Sequence, residues 1–272
     1  MSTVTVNFFA STLNLRTEVK VVLPEYSQQR NASVPRRIAF DPAMKFPVVY
    51  LLHGYTGDYS DWNSMVPIER YACETGFAVV MPHGYNSWYL NLPGGVQMED
   101  FLACELPAAM EAMLPVSDNP KERFIAGLSM GGMGAVHTAL KHPESFGAFA
   151  SASAVLSHRR LVSQYATNDT PEDKRMLDSL AYATRNGTVS DMDELYLQLK
   201  AAGTPMPPHL CLYGEQDEMY REQYLWFKAF AEENSLPVET ASWEGRHDFL
   251  FWDPAVRRML QYFRTKMEDR QV

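Results

Sequence analysis

The chain has 272 residues, of which 24 are basic and 33 are acidic, and its formal net charge at pH 7 is -9. This acidic balance argues against nucleic acid or an anionic membrane surface as the main partner. A hydrophobic fraction of 46% excludes wholesale disorder, no apolar run approaches the roughly 18 residues of a transmembrane helix, and the length allows a single α/β domain over residues 1–272.

The first half of the chain alternates short apolar runs with longer helical patterns. The predicted strands cover residues 4–10, 15–23, 46–52, 77–81, 123–126 and 146–150. Helical spacing predicts helices over 96–114, where Pro107 favours a kink or two consecutive helices, and over 130–141. This alternation is typical of a mostly parallel central sheet with helices on both faces.

Residues 156–208 interrupt the alternation. The segment is polar, predicts two helices over 171–185 and 191–202, and shows no clear strand, so we interpret it as a small helical insertion over the sheet. Ser190 is the predicted N-cap of the second helix. The alternation resumes with a strand over 209–213, a helix over 222–232, a strand over 238–243 and a last helix from Asp253.

The most informative motif is Gly127-Leu-Ser129-Met-Gly131, which matches G-x-S-x-G. A predicted strand precedes it and a helix rich in small residues follows, which is the setting of a nucleophile elbow. A phosphate-binding loop is the alternative, but no Lys follows the glycines as that motif requires. Ser129 is therefore the predicted nucleophile.

A serine hydroxyl needs a base and an orienting carboxylate, which in this arrangement follow in the order Ser, acid, His. Among the later histidines, His247 lies in a loop between a predicted strand and the last helix, where the base belongs. The acid should end the preceding strand. Asp217 is preferred there, while Glu215 and Glu218 remain alternatives because a register shift of one step is not excluded. Asp248 is interpreted as a carboxylate at the start of the helix rather than as a triad member.

Backbone N–H groups must also face the oxygen that becomes negatively charged during acyl transfer. One donor should come from the residue after the nucleophile, Met130, and the other from the loop after His53-Gly54, where Tyr55 is the best candidate. His53 itself is interpreted as a residue that shapes this loop rather than as a second base.

With these residues identified, the sequence resembles the esterase D branch of the α/β-hydrolases, which includes S-formylglutathione hydrolases, tributyrin esterases, feruloyl-type esterases and mycolyltransferase antigens. The resemblance covers most of the chain. It rests on Pro47 to Gly54 with Trp62, Met81-Pro82 with Ser87-Trp88-Tyr89, Glu105-Leu-Pro107, Gly127 to Gly132, Gly214 to Asp217, and Trp243 to Phe249 with Trp252.

The resemblance implies the α/β-hydrolase fold, a Ser-Asp-His triad, backbone donors at Tyr55 and Met130, and no metal or organic cofactor. The Met-Pro and Trp-Tyr stretch is most similar to the tributyrin and acetyl esterases. Formylglutathione hydrolases usually carry a Cys shortly after the oxyanion loop, whereas this chain has Tyr55-Thr-Gly57-Asp58. The departure favours a general short-acyl esterase.

The predicted function is therefore that of a serine carboxylesterase acting on short-chain or small aromatic acyl esters, with a small-molecule ester as the partner. An S-formylglutathione hydrolase, another thioesterase or an acyltransferase with the same triad is the alternative, and a non-catalytic binding module is less favoured because no triad position is eroded. Aromatic side chains are more often core than pocket, but candidates for a substrate pocket are Trp62, Tyr85, Trp88, Tyr89 and Trp252.

The compartment is predicted from the cysteines and the N-terminus. Cys73, Cys104 and Cys211 are too few and too widely spaced for a disulfide framework or a zinc site, and the first basic residue is Arg16, so the basic n-region of a secretory signal is missing. We expect a cytoplasmic protein. Nothing in the sequence indicates an oligomeric state.

Overall fold

The inner strands of the chain are apolar on both faces because helices cover both sides of the sheet that they form. In the computed structural model, residues 2–24, 44–165, 171–185 and 190–269 are described. The eight strands are β1 (Ser2–Ala10), β2 (Leu15–Leu23), β3 (Val48–Leu52), β4 (Ala78–Pro82), β5 (Arg123–Leu128), β6 (Ala148–Ala152), β7 (His209–Gly214) and β8 (Val238–Trp243).

One sheet contains all eight strands in the order β1-β2-β4-β3-β5-β6-β7-β8. Strands β3 to β8 run parallel to one another, whereas β1 pairs antiparallel with β2 and β2 pairs antiparallel with β4. The carboxyl ends of β3, β5 and β7 therefore lie at the same edge of the sheet, and this edge carries the candidate site.

The helices are α1 (Asp61–Ser64), α2 (Ile68–Thr75), α3 (Met98–Asp100), α4 (Leu106–Met113), α5 (Met130–Lys141), α6 (His158–Tyr165), α7 (Pro171–Arg185), α8 (Met192–Ala202), α9 (Arg221–Glu233) and α10 (Phe249–Glu268). Alternate residues of β3 show how they cover the sheet. Val48, Tyr50 and Leu52 belong to the buried cluster that includes α5, α8 and α9, while Val49 and Leu51 belong to the cluster with α2 and α10.

The helical stretch around Pro107 contains a π-helical turn and is not broken at the proline. Residues Phe101–Glu105 form this turn between α3 and α4, and Pro107 lies in the first turn of α4. A proline has no N–H to donate and its ring crowds the preceding turn, and widening the helix just before it accommodates both effects. The structure thus has consecutive helical segments here, which is one of the two predicted outcomes.

The described part of the insertion between β6 and β7 contains three helices, so the prediction of two was wrong: α6 follows β6 almost directly. No strand occurs in the described part of 156–208, while 166–170 and 186–189 lie outside the described residues. The predicted N-cap at Ser190 was also wrong, because the extended residue before α8 is Asp191. Its buried carboxylate pairs with His158 and Arg159 instead of capping the helix.

The last helix begins at Phe249, four residues before the predicted start at Asp253. Asp248 is its N-cap, and its side chain accepts hydrogen bonds from the N–H groups of Leu250 and Phe251. Pro254 therefore lies inside the helix, where it removes the bond to the carbonyl of Leu250. Leu250 is 88% exposed, so the break falls in a turn of the helix that faces solvent.

No helix in the described ranges is long and apolar enough to cross a membrane.

Candidate active site

Ser129 lies in the sharp turn between β5 and α5. Its backbone has φ 52° and ψ -118°, a left-handed conformation that costs a non-glycine residue about 1–3 kcal/mol. A Cβ on Gly131 would lie 2.1 Å from the carbonyl oxygen of Leu52, and a Cβ on Gly127 would lie 2.3 Å from Gly131. Only glycine at both positions lets the strand and the helix approach closely enough to form this turn.

His247 connects the serine to a carboxylate. Its Nε2 lies 3.1 Å from Oγ of Ser129, and its Nδ1 lies 2.8 Å from Oδ2 of Asp217. An ionised carboxylate can only accept, so Nδ1 carries the proton and Nε2 is left as the acceptor facing the serine hydroxyl. The structure thus brings together the three residues that the sequence predicted as a triad.

The loop after β7 presents three carboxylates, and only one of them faces the histidine. Asp217 is 1% exposed and contacts His247. Glu215 points away and accepts a hydrogen bond from Ser242, and Glu218 is exposed. The geometry therefore favours Asp217 over the two alternatives, and Asp248 is engaged as the N-cap of α10.

The loop after β3 lies beside the serine. Tyr55 lines the cleft that contains Ser129, and Met130 is the first residue of α5, so its N–H has no acceptor within the helix. Tyr55 therefore lines the same cleft as Ser129, and Met130 directly follows the serine along the chain.

His53 is enclosed at the start of this loop. Its Nδ1 contacts the carbonyl oxygen of Gly54 at 2.8 Å, so this nitrogen is the donor, and its Nε2 accepts from the N–H of Gly84 at 2.7 Å. Burial lowers the pKa of His53 to about 4, although the hydrogen bond to Gly54 opposes that shift. With both ring nitrogens engaged, the neutral imidazole of His53 links the loop after β3 to the loop after β4. This contact agrees with the interpretation of His53 as a residue that shapes the oxyanion loop.

The cleft over Ser129 has a volume of about 450 Å³. Its lining side chains are mostly aromatic or thioether groups, and Asp61 is the carboxylate among them. The residues that line it are Gly54, Tyr55, Thr56, Gly57, Asp61, Leu128, Ser129, Met176, Met219, Tyr220, His247, Phe249 and Trp252. The rings of Trp252 and Tyr220 contact the imidazole of His247, with centroid distances of 4.8 and 4.9 Å.

Of the aromatic pocket candidates, the structure brings only Trp252 into this cleft. Trp62 is fully buried in the core on the α10 side of the sheet. Trp88 is 2% exposed and its indole N–H donates to Ser179 of α7, while Tyr89 is fully buried and its hydroxyl donates to the carbonyl oxygen of His53. Tyr85 donates to Thr17. None of these four residues lines the cleft.

Comparison with known proteins then decides the family. The Esterase family, whose description reads "Putative esterase", matches residues 10–263. The chain belongs to this esterase family. The esterase is 26% identical over 284 aligned positions to an acetyl esterase from Caldicellulosiruptor saccharolyticus, and the match covers 99% of this chain and 100% of the relative.

Solved structures agree with this assignment. The esterase superposes with a TM-score of 0.81 on FphF, a fluorophosphonate-binding serine hydrolase from Staphylococcus aureus, at 26% identity over 97% of this chain and 98% of that one. An S-formylglutathione hydrolase, FrmB, from the same species gives 0.79 at the same identity and coverage. The esterase thus has the predicted α/β-hydrolase architecture, it is a carboxylic ester hydrolase, and the predicted resemblance to the esterase D branch is confirmed.

Several residues of the esterase's cleft were not predicted from the sequence. Met219 and Tyr220 immediately follow the acid loop, and Phe249 begins α10, so their positions next to the triad were a signal that could have found them. Met176 comes from α7 of the insertion. No local pattern indicates it, because its place in the cleft depends on how α7 packs over the sheet.

Proposed function

We propose that this esterase is a serine carboxylesterase that hydrolyses short-chain or small aromatic acyl esters, and that residues 1–272 form one catalytic domain. The observation that carries the proposal is the position of His247, with one ring nitrogen 3.1 Å from the hydroxyl of Ser129 and the other 2.8 Å from Asp217. A serine hydroxyl next to a base that a carboxylate orients is the arrangement that activates an acyl-transfer nucleophile.

In the acylation step, Oγ of Ser129 attacks the ester carbonyl while Nε2 of His247 takes the hydroxyl proton. Asp217 holds the imidazole in the tautomer that leaves Nε2 free to accept and stabilises the imidazolium that forms. His247 then gives the proton to the departing alcohol oxygen. The products of this half-reaction are the alcohol and a serine acyl ester.

In the deacylation step, water takes the place of the alcohol. His247 removes a proton from the water, the resulting hydroxide adds to the acyl carbonyl, and the proton returns to Oγ of Ser129 as the acid leaves. In both steps the carbonyl oxygen becomes negatively charged, and the N–H groups of Tyr55 and Met130 are the proposed donors that stabilise it. Every proton is transferred by groups of the chain, the substrate or water.

The lining of the cleft supports neutral acyl esters as substrates. None of its described lining residues is Lys or Arg, and Asp61 adds a carboxylate, so an anionic substrate meets no basic partner there. Aromatic and methionine side chains surround the serine and offer apolar contacts to a short acyl chain or a small ring. The full-length similarity to an acetyl esterase supports the same substrate class.

A thioester substrate is the second candidate, because the S-formylglutathione hydrolase FrmB aligns over 97% of this chain. Both functions use the same acyl-enzyme, and they differ in the leaving group. None of the described residues that line the cleft is Lys or Arg, so a thiol that carries carboxylates finds no basic partner in the cleft itself, which disfavours it on electrostatic grounds.

The test is a comparison of kcat/KM for p-nitrophenyl acetate, butyrate, octanoate, a feruloyl ester and S-formylglutathione. We expect the short esters to give the highest values and Ser129→Ala to reduce them to background. Turnover by Ser129→Ala at the wild-type rate would overturn the proposed nucleophile. A clear preference for S-formylglutathione would replace the substrate class and leave the nucleophile in place.

The cytoplasm is the proposed compartment. Cys73, Cys104 and Cys211 form no disulfide, and Cys104 is exposed, which fits a reducing environment. Fractionation of the source cells tests this, and recovery of the esterase outside the cytoplasmic fraction would contradict it.

A further inference from the structure

We propose that Asn86 is a positioning residue for the oxyanion hole: its side chain fixes the loop that carries the Tyr55 N–H. The inference rests on the proposed function, because it concerns one of the two donors assigned there. Asn86 lies in the loop that follows β4, outside the triad and outside the residues that line the cleft.

The contact is a hydrogen bond from the N–H of Thr56 to Oδ1 of Asn86, with a length of 2.7 Å. Thr56 follows Tyr55 directly, so this bond fixes the peptide plane between the two residues. The neighbouring plane, which carries the N–H of Tyr55, is joined to it at the Tyr55 Cα. Thr56 has φ 67°, a conformation that a non-glycine residue holds only when its surroundings impose it.

The loop that presents Asn86 is itself strained. Tyr85, Asn86, Trp88 and Tyr89 all have φ between 52° and 58°. Hydrogen bonds from the N–H and the hydroxyl of Ser87 to the carbonyl of Gly84, at 3.0 and 2.6 Å, hold the turn closed. Strained backbone is common where a structure must hold a functional group in one position. Here the group is the side-chain amide of Asn86, which faces the N–H of Thr56.

The same loop contacts the oxyanion loop at two further points. The N–H of Gly84 donates to Nε2 of His53, and the ring of Trp88 lies 5.7 Å from the ring of Tyr55. These contacts hold the start of the oxyanion loop and the side chain of Tyr55. Asn86 holds the backbone immediately after Tyr55. Of the three residues of this loop that make these contacts, Gly84 and Trp88 are buried and Asn86 is exposed.

Because Asn86 is exposed, its replacement can test a role in positioning the oxyanion donor without a large loss of stability. Replacement of a surface side chain leaves no cavity in the core. The catalytic value of an oxyanion donor depends on its distance and direction to the developing charge, and loss of one donor lowers kcat by about a hundredfold or more. Release of the Thr56 N–H should misdirect the Tyr55 donor without deleting it, so we expect a loss of about tenfold to a hundredfold.

Two variants separate the hydrogen bond from the backbone conformation. Glycine adopts positive φ without strain but offers no acceptor, whereas aspartate tolerates this conformation and keeps the acceptor oxygen. We expect Asn86→Gly to lower kcat for p-nitrophenyl acetate by about tenfold to a hundredfold with little change in KM. Asn86→Asp should stay within about threefold of wild type in about 0.5 M NaCl, which screens its exposed charge.

A second readout distinguishes positioning from loosening of the fold. A trifluoromethyl ketone adds to Ser129 and places an oxyanion in the same hole, so its Ki should rise in Asn86→Gly by the factor by which kcat/KM falls, while the thermal midpoint stays within about 2 °C. Wild-type kcat and Ki in Asn86→Gly, or an equal loss in Asn86→Asp, would overturn the inference. Either result in an enzyme that needs Ser129 for turnover would leave the proposed function intact, whereas turnover independent of Ser129 would remove that function itself.

Discussion

Gln216 and Gly245 exchange two hydrogen bonds: the N–H of Gln216 donates to the carbonyl of Gly245 at 2.9 Å, and the N–H of Gly245 donates to Oε1 of Gln216 at 2.5 Å. One residue precedes Asp217 and the other lies two positions before His247. The pair therefore joins the loop that carries the acid to the loop that carries the base, and holds the two side chains at contact distance.

The first prediction concerns this link. Gln216→Ala removes the side-chain acceptor and should lower kcat by about fivefold, because a hydrogen bond of this kind contributes about 1 kcal/mol and its loss lets the His247 loop shift. Gln216→Glu keeps an acceptor oxygen and is the matched control, expected near wild-type kcat. Ester hydrolysis by both variants measures the effect, and equal activities in the Ala and Glu variants would show that the link does not act on the triad.

The second prediction concerns the identity of the acid. Asp217→Asn should lower kcat by about 10⁴-fold, because an amide at this position no longer selects the histidine tautomer that accepts the serine proton. Glu218→Gln, one residue away and exposed, should keep wild-type turnover. Steady-state kinetics with p-nitrophenyl acetate compares the two. A large loss in the Glu218 variant together with a small loss in the Asp217 variant would reassign the acid.

The third prediction separates two tryptophans that the sequence could not distinguish. Trp252 lines the cleft and packs edge-on against His247, so Trp252→Leu should raise KM severalfold for aromatic acyl esters, since an aromatic contact contributes about 1 kcal/mol. Trp62 is fully buried in the same side-chain cluster between the sheet and α10, but it does not line the cleft. Trp62→Leu should lower the thermal midpoint and leave KM unchanged. A KM effect in the Trp62 variant alone would reverse these assignments.

The fourth prediction concerns acid stability. His209 is fully buried against Phe149, with Ser151 and Tyr196 on its two nitrogens, and burial lowers its pKa to about 3. An unfolded histidine titrates near 6.5, so below that pH the unfolded chain takes up a proton that the folded chain refuses. The stability is fully present above about 6.5 and falls with pH, by about 2 kcal/mol at pH 5.

Urea unfolding at pH 8 and pH 5 measures this effect. The wild-type free energy of unfolding should fall across the interval, and His209→Gln, although less stable at pH 8, should lose about 2 kcal/mol less over the same interval. His53 contributes in the same direction, because its pKa is also lowered, and it remains in both proteins. An NMR titration of the His209 ring that showed protonation near pH 6 would contradict the account.

The positions of the strands along the chain could be predicted from the sequence because buried parallel strands are short and strongly apolar. Its errors fell where tertiary contacts override local preference. The sequence predicted a last helix from Asp253, but the Asp248 cap extends α10 back to Phe249. The carboxylate of Asp191, which pairs with His158 and Arg159, had no visible partner in the sequence.

The predicted triad was accessible from sequence because its chemistry dictates residue types and an order along the chain. Asp217 and His247 each follow a strand, where loops converge at one edge of the sheet. Met176 and Asn86 follow no such rule. The first reaches the cleft from the insertion, and the second acts on a backbone N–H thirty residues away, so both needed three-dimensional coordinates.

The central claim is that the hydroxyl of Ser129 becomes acylated, and covalent labelling tests it most directly. A fluorophosphonate ester reacts with an activated serine and leaves a stable phosphonyl adduct on its oxygen. Intact mass and peptide mapping should show one adduct, on Ser129, that forms in the wild type and is absent from Ser129→Ala. An adduct on another residue, or undiminished labelling of Ser129→Ala, would contradict the account.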